Sequence, residues 1–289
     1  MNGLGTASEL VTKGLAGATA RQARKSAATA DPPNEEGNMT ATSPAPPVHE
    51  PQLLGQTVVL IGGSTGIGLE TARRARSEGA EVILAARRPE PLQNAAREVG
   101  ALSTAEFDAN DPTAMQGFFE SLSQPIDHVL VTASSPKYGP LLDMDASEFR
   151  DALSSRGVIA LEVARHAVGR MRSGGTLVFM GGTGPRRVRP GLGVVSAAAN
   201  ATPALIAALA LEIAPLQANL IAAGFVDTPL SASILGDQLQ ARREQLRATL
   251  PIGRVVGPGD VAALAVHIMV NTALTGATFD IDGGQQFVE

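Results

Sequence analysis

The 289-residue chain has no cysteine, one tyrosine (Tyr138), three lysines (Lys13, Lys25, Lys137) and four histidines. Without cysteine there is no disulfide framework, no thiolate nucleophile and no cysteine-based zinc site. No tyrosine is followed by a lysine four positions on, so no single turn of helix can carry that pair on one face. The histidines promise little acid–base chemistry: His49 lies near the N-terminus, His128 in a strand-like run, and His166 and His267 in helical stretches, where a structural role is expected. Neither sign of charge dominates, with 23 basic against 28 acidic residues and a net charge of −5, which gives no reason to expect a nucleic acid or an anionic membrane as partner. No apolar run reaches the roughly 18 residues of a membrane span, and a cytoplasmic protein with no membrane partner and no metal site is expected.

Residues 1–52 differ in composition from the rest of the chain. Ala, Thr, Ser and Gly prevail, Arg21, Arg24 and Lys25 cluster, and six prolines from Pro32 to Pro51 break any helix. A disordered tail is expected there, followed by one domain over residues 53–289. Met39 opens a shorter leader, so deletion of residues 1–38 is expected to leave the domain intact.

The stretch that organises the rest runs from Thr57 to Ile61, an apolar strand-like segment, into Gly62-Gly63-Ser64-Thr65-Gly66-Ile67-Gly68 and then into a helical segment. Strand, glycine turn and helix in that order are what phosphate binding requires: backbone N–H groups at a helix N-terminus and a turn that pyrophosphate can approach closely. Downstream, strand-like segments at 81–86, 103–107, 126–132, 176–180, 218–222 and 277–281 alternate with helical ones at 66–78, 89–99, 112–121, 146–171, 195–214 and 259–270. Such alternation predicts an α/β fold, a doubly wound parallel sheet of the Rossmann type with seven strands, whose ligands sit at the carboxyl ends of the strands. After the second strand, where a carboxylate usually meets an adenosine ribose, the chain reads Ala86-Arg87-Arg88. Guanidinium groups there suit a 2′-phosphate, so NADP is expected over NAD. Asp108, ending the third strand, is placed to accept from an adenine amino group.

These features, with Gly224-Phe225-Val226-Asp227-Thr228-Pro229 and Asp280-Ile281-Asp282-Gly283-Gly284 near the C-terminus, resemble the short-chain dehydrogenase/reductase family over about residues 55–286. The resemblance implies a nicotinamide cofactor, a small carbonyl or alcohol substrate and a homodimer or homotetramer. It places Gly62, Ser64, Thr65, Ile67 and Gly68 at the pyrophosphate, Thr132 on the cofactor side after the fourth strand, and Val226 and Thr228 at the nicotinamide carboxamide.

The catalytic part of the family pattern is missing. Matching the helix that ends near Pro215 puts Val195 and Ala199 where the family's Tyr-x-x-x-Lys pair would stand, with Ser196 and Asn200 as the neighbouring register. The family's serine falls at Gly181-Gly182 and its helix asparagine at Ser154. In place of the usual relay, the same rim carries Arg186, Arg187 and Arg189, suited to an anionic group or an oxyanion, and Tyr138, the only phenol. Tyr138, Arg186 and Arg187 are therefore the candidate catalytic residues. The expected function is an atypical NADP-dependent oxidoreductase. Two alternatives stand beside it: an NADP-binding protein without redox turnover, serving as sensor or inactive partner, and a non-redox enzyme on the same fold.

Overall fold

The computed structural model describes residues 50–133 and 136–288. The N-terminal tail, apart from its last three residues, lies outside them, as do Ser134, Ser135 and Glu289. From residue 50 onward the chain forms one unit around a single parallel sheet. Its strands are β1 (Thr57–Ile61), β2 (Glu81–Ala86), β3 (Ser103–Glu106), β4 (Ile126–Val131), β5 (Met171–Gly182), β6 (Gln217–Ala223) and β7 (Thr278–Ile281). They lie in the order 3-2-1-4-5-6-7, so the winding reverses between β1 and β4, where a doubly wound sheet opens its ligand crevice.

Strands β1, β4 and β6 are buried along their whole length, which is why they read as continuous apolar runs rather than alternating ones. Along β1 the side chains still divide by parity. Val59 and Ile61 join a buried cluster with Met115, Phe119, Val163 and Ile206, while Val58 and Leu60 join another with Ala72, Leu92, Val261 and Ile268. The first cluster packs under α3 (Pro112–Ser121), α4 (Ala146–Ala167) and α5 (Gly193–Glu212). The second packs under α1 (Gly66–Ser77), α2 (Pro89–Val99) and α8 (Pro258–Val270).

Three departures from the sequence reading have local causes. Strand β5 begins at Met171, where the sequence reading ends a helix and starts the strand only at 176. The strand accommodates Gly174 at φ +82°, and at Gly175 a Cβ would lie 2.4 Å from the Asp127 carbonyl oxygen. Between β6 and α8 two helices appear that carry little apolar periodicity, α6 (Pro229–Leu235) and α7 (Leu239–Thr249), in which Leu246 is the one buried residue. Helix α5, finally, is long and apolar enough to cross a membrane by length and composition, against the expectation from uninterrupted apolar runs. Its interruptions are uncharged: Thr202 Oγ donates to the Ala198 carbonyl at 2.7 Å and Asn200 Nδ2 to the Ser196 carbonyl at 2.8 Å. Half of the helix is buried inside the fold, against α4 and β6.

Candidate active site

The glycine turn links the carboxyl end of β1 to the start of α1. Gly62 has φ +94° and Gly66 φ +55°, backbone that other residues adopt only under strain. Space is as restrictive as φ. A Cβ on Gly62 would stand 2.4 Å from Thr132 Oγ1, and one on Gly68 would stand 2.3 Å from the Gly62 carbonyl oxygen. Thr132, just past β4, closes this packing: its hydroxyl donates to the Gly62 carbonyl at 3.1 Å. Thr65 caps α1 in extended backbone, yet no side chain bonds the first-turn amides and no acidic residue stands in that turn. The positive end of the helix dipole and free N–H groups therefore face the crevice, the arrangement that binds phosphate.

A cavity of about 530 Å³ opens over this turn. Gly62, Ser64, Thr65 and Ile67 line it from the turn, Arg87, Arg88 and Asp108 from the ends of β2 and β3, and Thr132 and Thr228 from the far side. The sequence-based candidates for the cofactor are thus brought to one place, except Gly68, which packs behind the turn against the Gly62 carbonyl, and Val226. Val226 is buried and bridges to Val256, and Thr228, two residues on, spends its hydroxyl capping α6 against Ser231. Residues with no sequence signal complete the lining: Asn110, which donates twice to Asp108 Oδ1 at 2.9 Å, and Leu230 and Ser233 of α6. The Asn110 backbone bond, its side-chain amide and the nearby Arg87 hold the Asp108 carboxyl below the usual carboxylate range. Arg87 Nη1 lies 3.6 Å from that carboxylate, and both groups are largely exposed.

A smaller cavity of about 220 Å³, sharing no lining residue with the first, is lined among others by Tyr138, Thr183, Arg187, Arg189 and Arg242. Two of the three catalytic candidates meet here. Arg186 does not line it, because its guanidinium is committed to Asp280 through two bonds of 2.6 and 2.8 Å, which raise the guanidinium pKa and lower that of the carboxyl. Arg187 donates to the Gln286 carbonyl oxygen, a neutral partner. Burial raises the Tyr138 phenol above its ordinary pKa, against the opposing pull of the Arg156 guanidinium. Lys137 pairs with Glu148 on α4 and not with the phenol.

The positions matched to the family's relay hold no titrating group. Val195 and Ala199 are both 5% exposed and packed into the core, and Gly182 ends β5 in register with Ala223. Ser154 Oγ donates to the Arg150 carbonyl of its own helix at 2.8 Å. In the neighbouring register, the buried Ser196 hydroxyl has no partner among the described residues, and Asn200 is bonded to its own helix. Arg156 on α4, electrostatically coupled to Tyr138, was not foreseen. An arginine inside a helix reads as a solvated residue until the fold brings a loop against it.

A parallel sheet with this crossover order and a glycine turn at its switch point defines a nucleotide-binding α/β protein. The family model described as "Enoyl-(Acyl carrier protein) reductase" matches residues 62–286, and the chain belongs to the short-chain dehydrogenase/reductase family. Among its relatives, the NADP-dependent (R)-specific alcohol dehydrogenase of Lentilactobacillus kefiri is 26% identical over 250 residues, covering 81% of this chain and 97% of the relative. A small-chain dehydrogenase solved in complex with NADPH is 27% identical, with a TM-score of 0.69 and coverage of 80% and 99%. The MalC reductase/Diels-Alderase of Malbranchea aurantiaca superimposes with a TM-score of 0.76 at 23% identity, with coverage of 82% and 98%, a likeness of fold.

Proposed function

We propose that the chain is an NADP(H)-dependent oxidoreductase that acts on a small carbonyl or alcohol without the Tyr-x-x-x-Lys pair. One observation carries this reading: the 530 Å³ cavity joins a glycine turn with no room for a Cβ, an uncapped helix start and two arginines beyond β2. The residues fit NADP(H) in shape and charge. The amides of the turn and of the first turn of α1 take the pyrophosphate, Arg87 and Arg88 the 2′-phosphate, and Asp108 the adenine edge. When bound, the nicotinamide supplies or accepts a hydride. The proton is assigned to Tyr138, which lines the smaller cavity and whose phenol keeps its proton at neutral pH, burial raising its pKa against the opposing pull of Arg156. The names of the relatives, an NADP-dependent alcohol dehydrogenase and an NADPH complex, support the choice of cofactor. The half-exposed apolar residues Phe149, Leu153 and Leu161 of α4 support assembly into a dimer or tetramer.

A second reading, cofactor binding without redox turnover, is favoured by the apolar Val195 and Ala199 and the bare Gly182 at the relay positions. One experiment separates the two: titration with NADPH and NADH, followed by a screen of small ketones and aldehydes at the nicotinamide absorbance. The expected result is tighter binding of NADPH and substrate-dependent oxidation that Tyr138→Phe reduces at least about a hundredfold, the scale of general acid catalysis. NADPH binding without turnover leaves the second reading. Failure to bind either cofactor overturns both.

A further inference from the structure

A threonine hydroxyl stands buried and unused in the wall of the 220 Å³ cavity. Thr183 follows the last residue of β5 and is 1% exposed. Its backbone is engaged on both sides, the N–H donating to the Ala223 carbonyl at 2.9 Å and the carbonyl accepting from the Arg186 N–H at 3.0 Å. Its side-chain oxygen has no hydrogen-bond partner among the described residues. A hydroxyl left so costs the fold free energy that an occupant of the cavity would return. By contrast, Thr132 and Thr228 in the cofactor cavity spend their hydroxyls inside the protein, on the Gly62 carbonyl and on the cap of α6. Ser196, the other buried hydroxyl without a partner among the described residues, lines neither cavity. An independent observation concerns what shares the cavity with Thr183. Tyr138, the only phenol of the chain, lines it too. The Tyr138 segment is fastened on both sides: Lys137 pairs with Glu148 of α4, and the Gly139 N–H donates to the Gly191 carbonyl at 2.9 Å, one residue before Leu192 of the same lining. Burial keeps the phenol protonated at neutral pH, so it too enters as a donor.

We infer that the 220 Å³ cavity receives the carbonyl oxygen of a neutral aldehyde or ketone, and that Thr183 donates to that oxygen as the second hydroxyl beside Tyr138. A carbonyl oxygen has lone pairs for both donors and no proton of its own. An alcohol would bring a further proton into a lining that holds no carboxylate to accept it. Thr183 keeps its proton, since an aliphatic hydroxyl does not ionise near neutral pH; it orients the carbonyl and draws electron density towards the oxygen. Turning χ1 from one staggered well to another exchanges hydroxyl and methyl, the small motion by which this side chain meets an occupant. The volume equals roughly seven water molecules at ~30 Å³ each, room for a small ketone or for the carbonyl end of a larger molecule. As the assignment of a donor to the reacting oxygen, the inference rests on the oxidoreductase reading, while the contact between Thr183 and a carbonyl ligand does not.

The test uses the full chain and two variants: Thr183→Val, which keeps the branched shape and removes the donor, and Thr183→Ser, which keeps the donor. Because the hydroxyl has no partner to lose, Thr183→Val is expected to leave the thermal midpoint and the NADPH affinity unchanged. Cyclohexanone and cyclohexanol are then titrated by ligand-observed NMR, with and without NADP⁺, which cannot reduce the ketone. The unsubstituted protein is expected to bind the ketone more tightly than the alcohol. Thr183→Val is expected to weaken the ketone about five- to tenfold, the worth of one neutral hydrogen bond, and Thr183→Ser to hold it within a few-fold of the starting value. No ketone binding, equal affinity for ketone and alcohol, or a ketone affinity that Thr183→Val leaves unchanged overturns the inference. So does a fall of several degrees in the midpoint of Thr183→Val, which would show that the hydroxyl serves the fold. Ketone binding that depends on Thr183, without NADPH-dependent reduction of any carbonyl, would instead sink the oxidoreductase reading and leave the contact standing.

Discussion

Arg87 stands where the cofactor specificity of this fold is decided, and its present partner is weak. Its pair with Asp108, at 3.6 Å and largely exposed, is of a kind worth about 0–1 kcal/mol, so a 2′-phosphate can take the guanidinium at little cost. Replacing it by a carboxylate reverses the local field. Arg87→Asp is expected to weaken NADPH by roughly 10–100-fold, the worth of a charge-assisted phosphate contact, and to leave NADH within a few-fold; paired Kd measurements decide it. An unchanged NADPH/NADH ratio would remove the 2′-phosphate from this position. Arg87 was legible because position alone identifies it: the residue after the second strand of a doubly wound sheet sits at the ribose. Arg156 and Arg242 were not, since they face the site only because a loop and a helix remote in sequence pack beside them. Arg186 was visible as a residue but not as a committed one, for its partner Asp280 lies 94 positions away.

At the level of elements, β4 carries a titration built into its amino end. His128 is 2% exposed, and its Nε2 lies 2.6 Å from Gln56 Oε1. Burial lowers its pKa from 6.5 to about 4, although the adjacent Asp127 pulls the other way. The unfolded chain therefore takes up the proton first as pH falls. The fold keeps its full stability above about pH 6.5 and loses it between there and pH 4. This histidine alone is expected to make the protein about 2 kcal/mol less stable at pH 5 than at pH 7. Urea unfolding at the two pH values measures it. His128→Leu should flatten that difference whatever it does to stability at pH 7, and an unaltered slope would assign the effect elsewhere.

Elements that bury apolar side chains on a regular period were read closely from sequence; β1, β2, α2 and α3 have the expected bounds. Those that escaped have physical reasons for doing so. Helix α7 buries only Leu246 and so has no apolar stripe to read, and β5 starts through Gly174 and Gly175, which look like a turn until the Asp127 backbone is seen against them.

For the molecule as a whole, the fold assigned to residues 55–286 is supported by a sheet and two buried clusters that lie within the described residues. Deleting residues 1–38 is accordingly expected to change neither the thermal midpoint nor the NADPH affinity; a drop of several degrees, the equivalent of about 1–2 kcal/mol in a domain of this size, would show that the segment belongs to the fold.

The sheet does more than hold the two rows of helices apart. The nucleotide turn leads into α1, on the side of α2 and α8, whereas the apolar Val195 and Ala199 belong to α5, on the side of α3 and α4. Separated by a stratum of backbone, lesions in the two layers act on the folded state almost independently, because distant sites without shared neighbours add. Such a partition makes the architecture tolerant of inheritance by halves. One wall can be rewritten for a new acid, a new anion or no chemistry at all, while the other goes on gripping the same nucleotide.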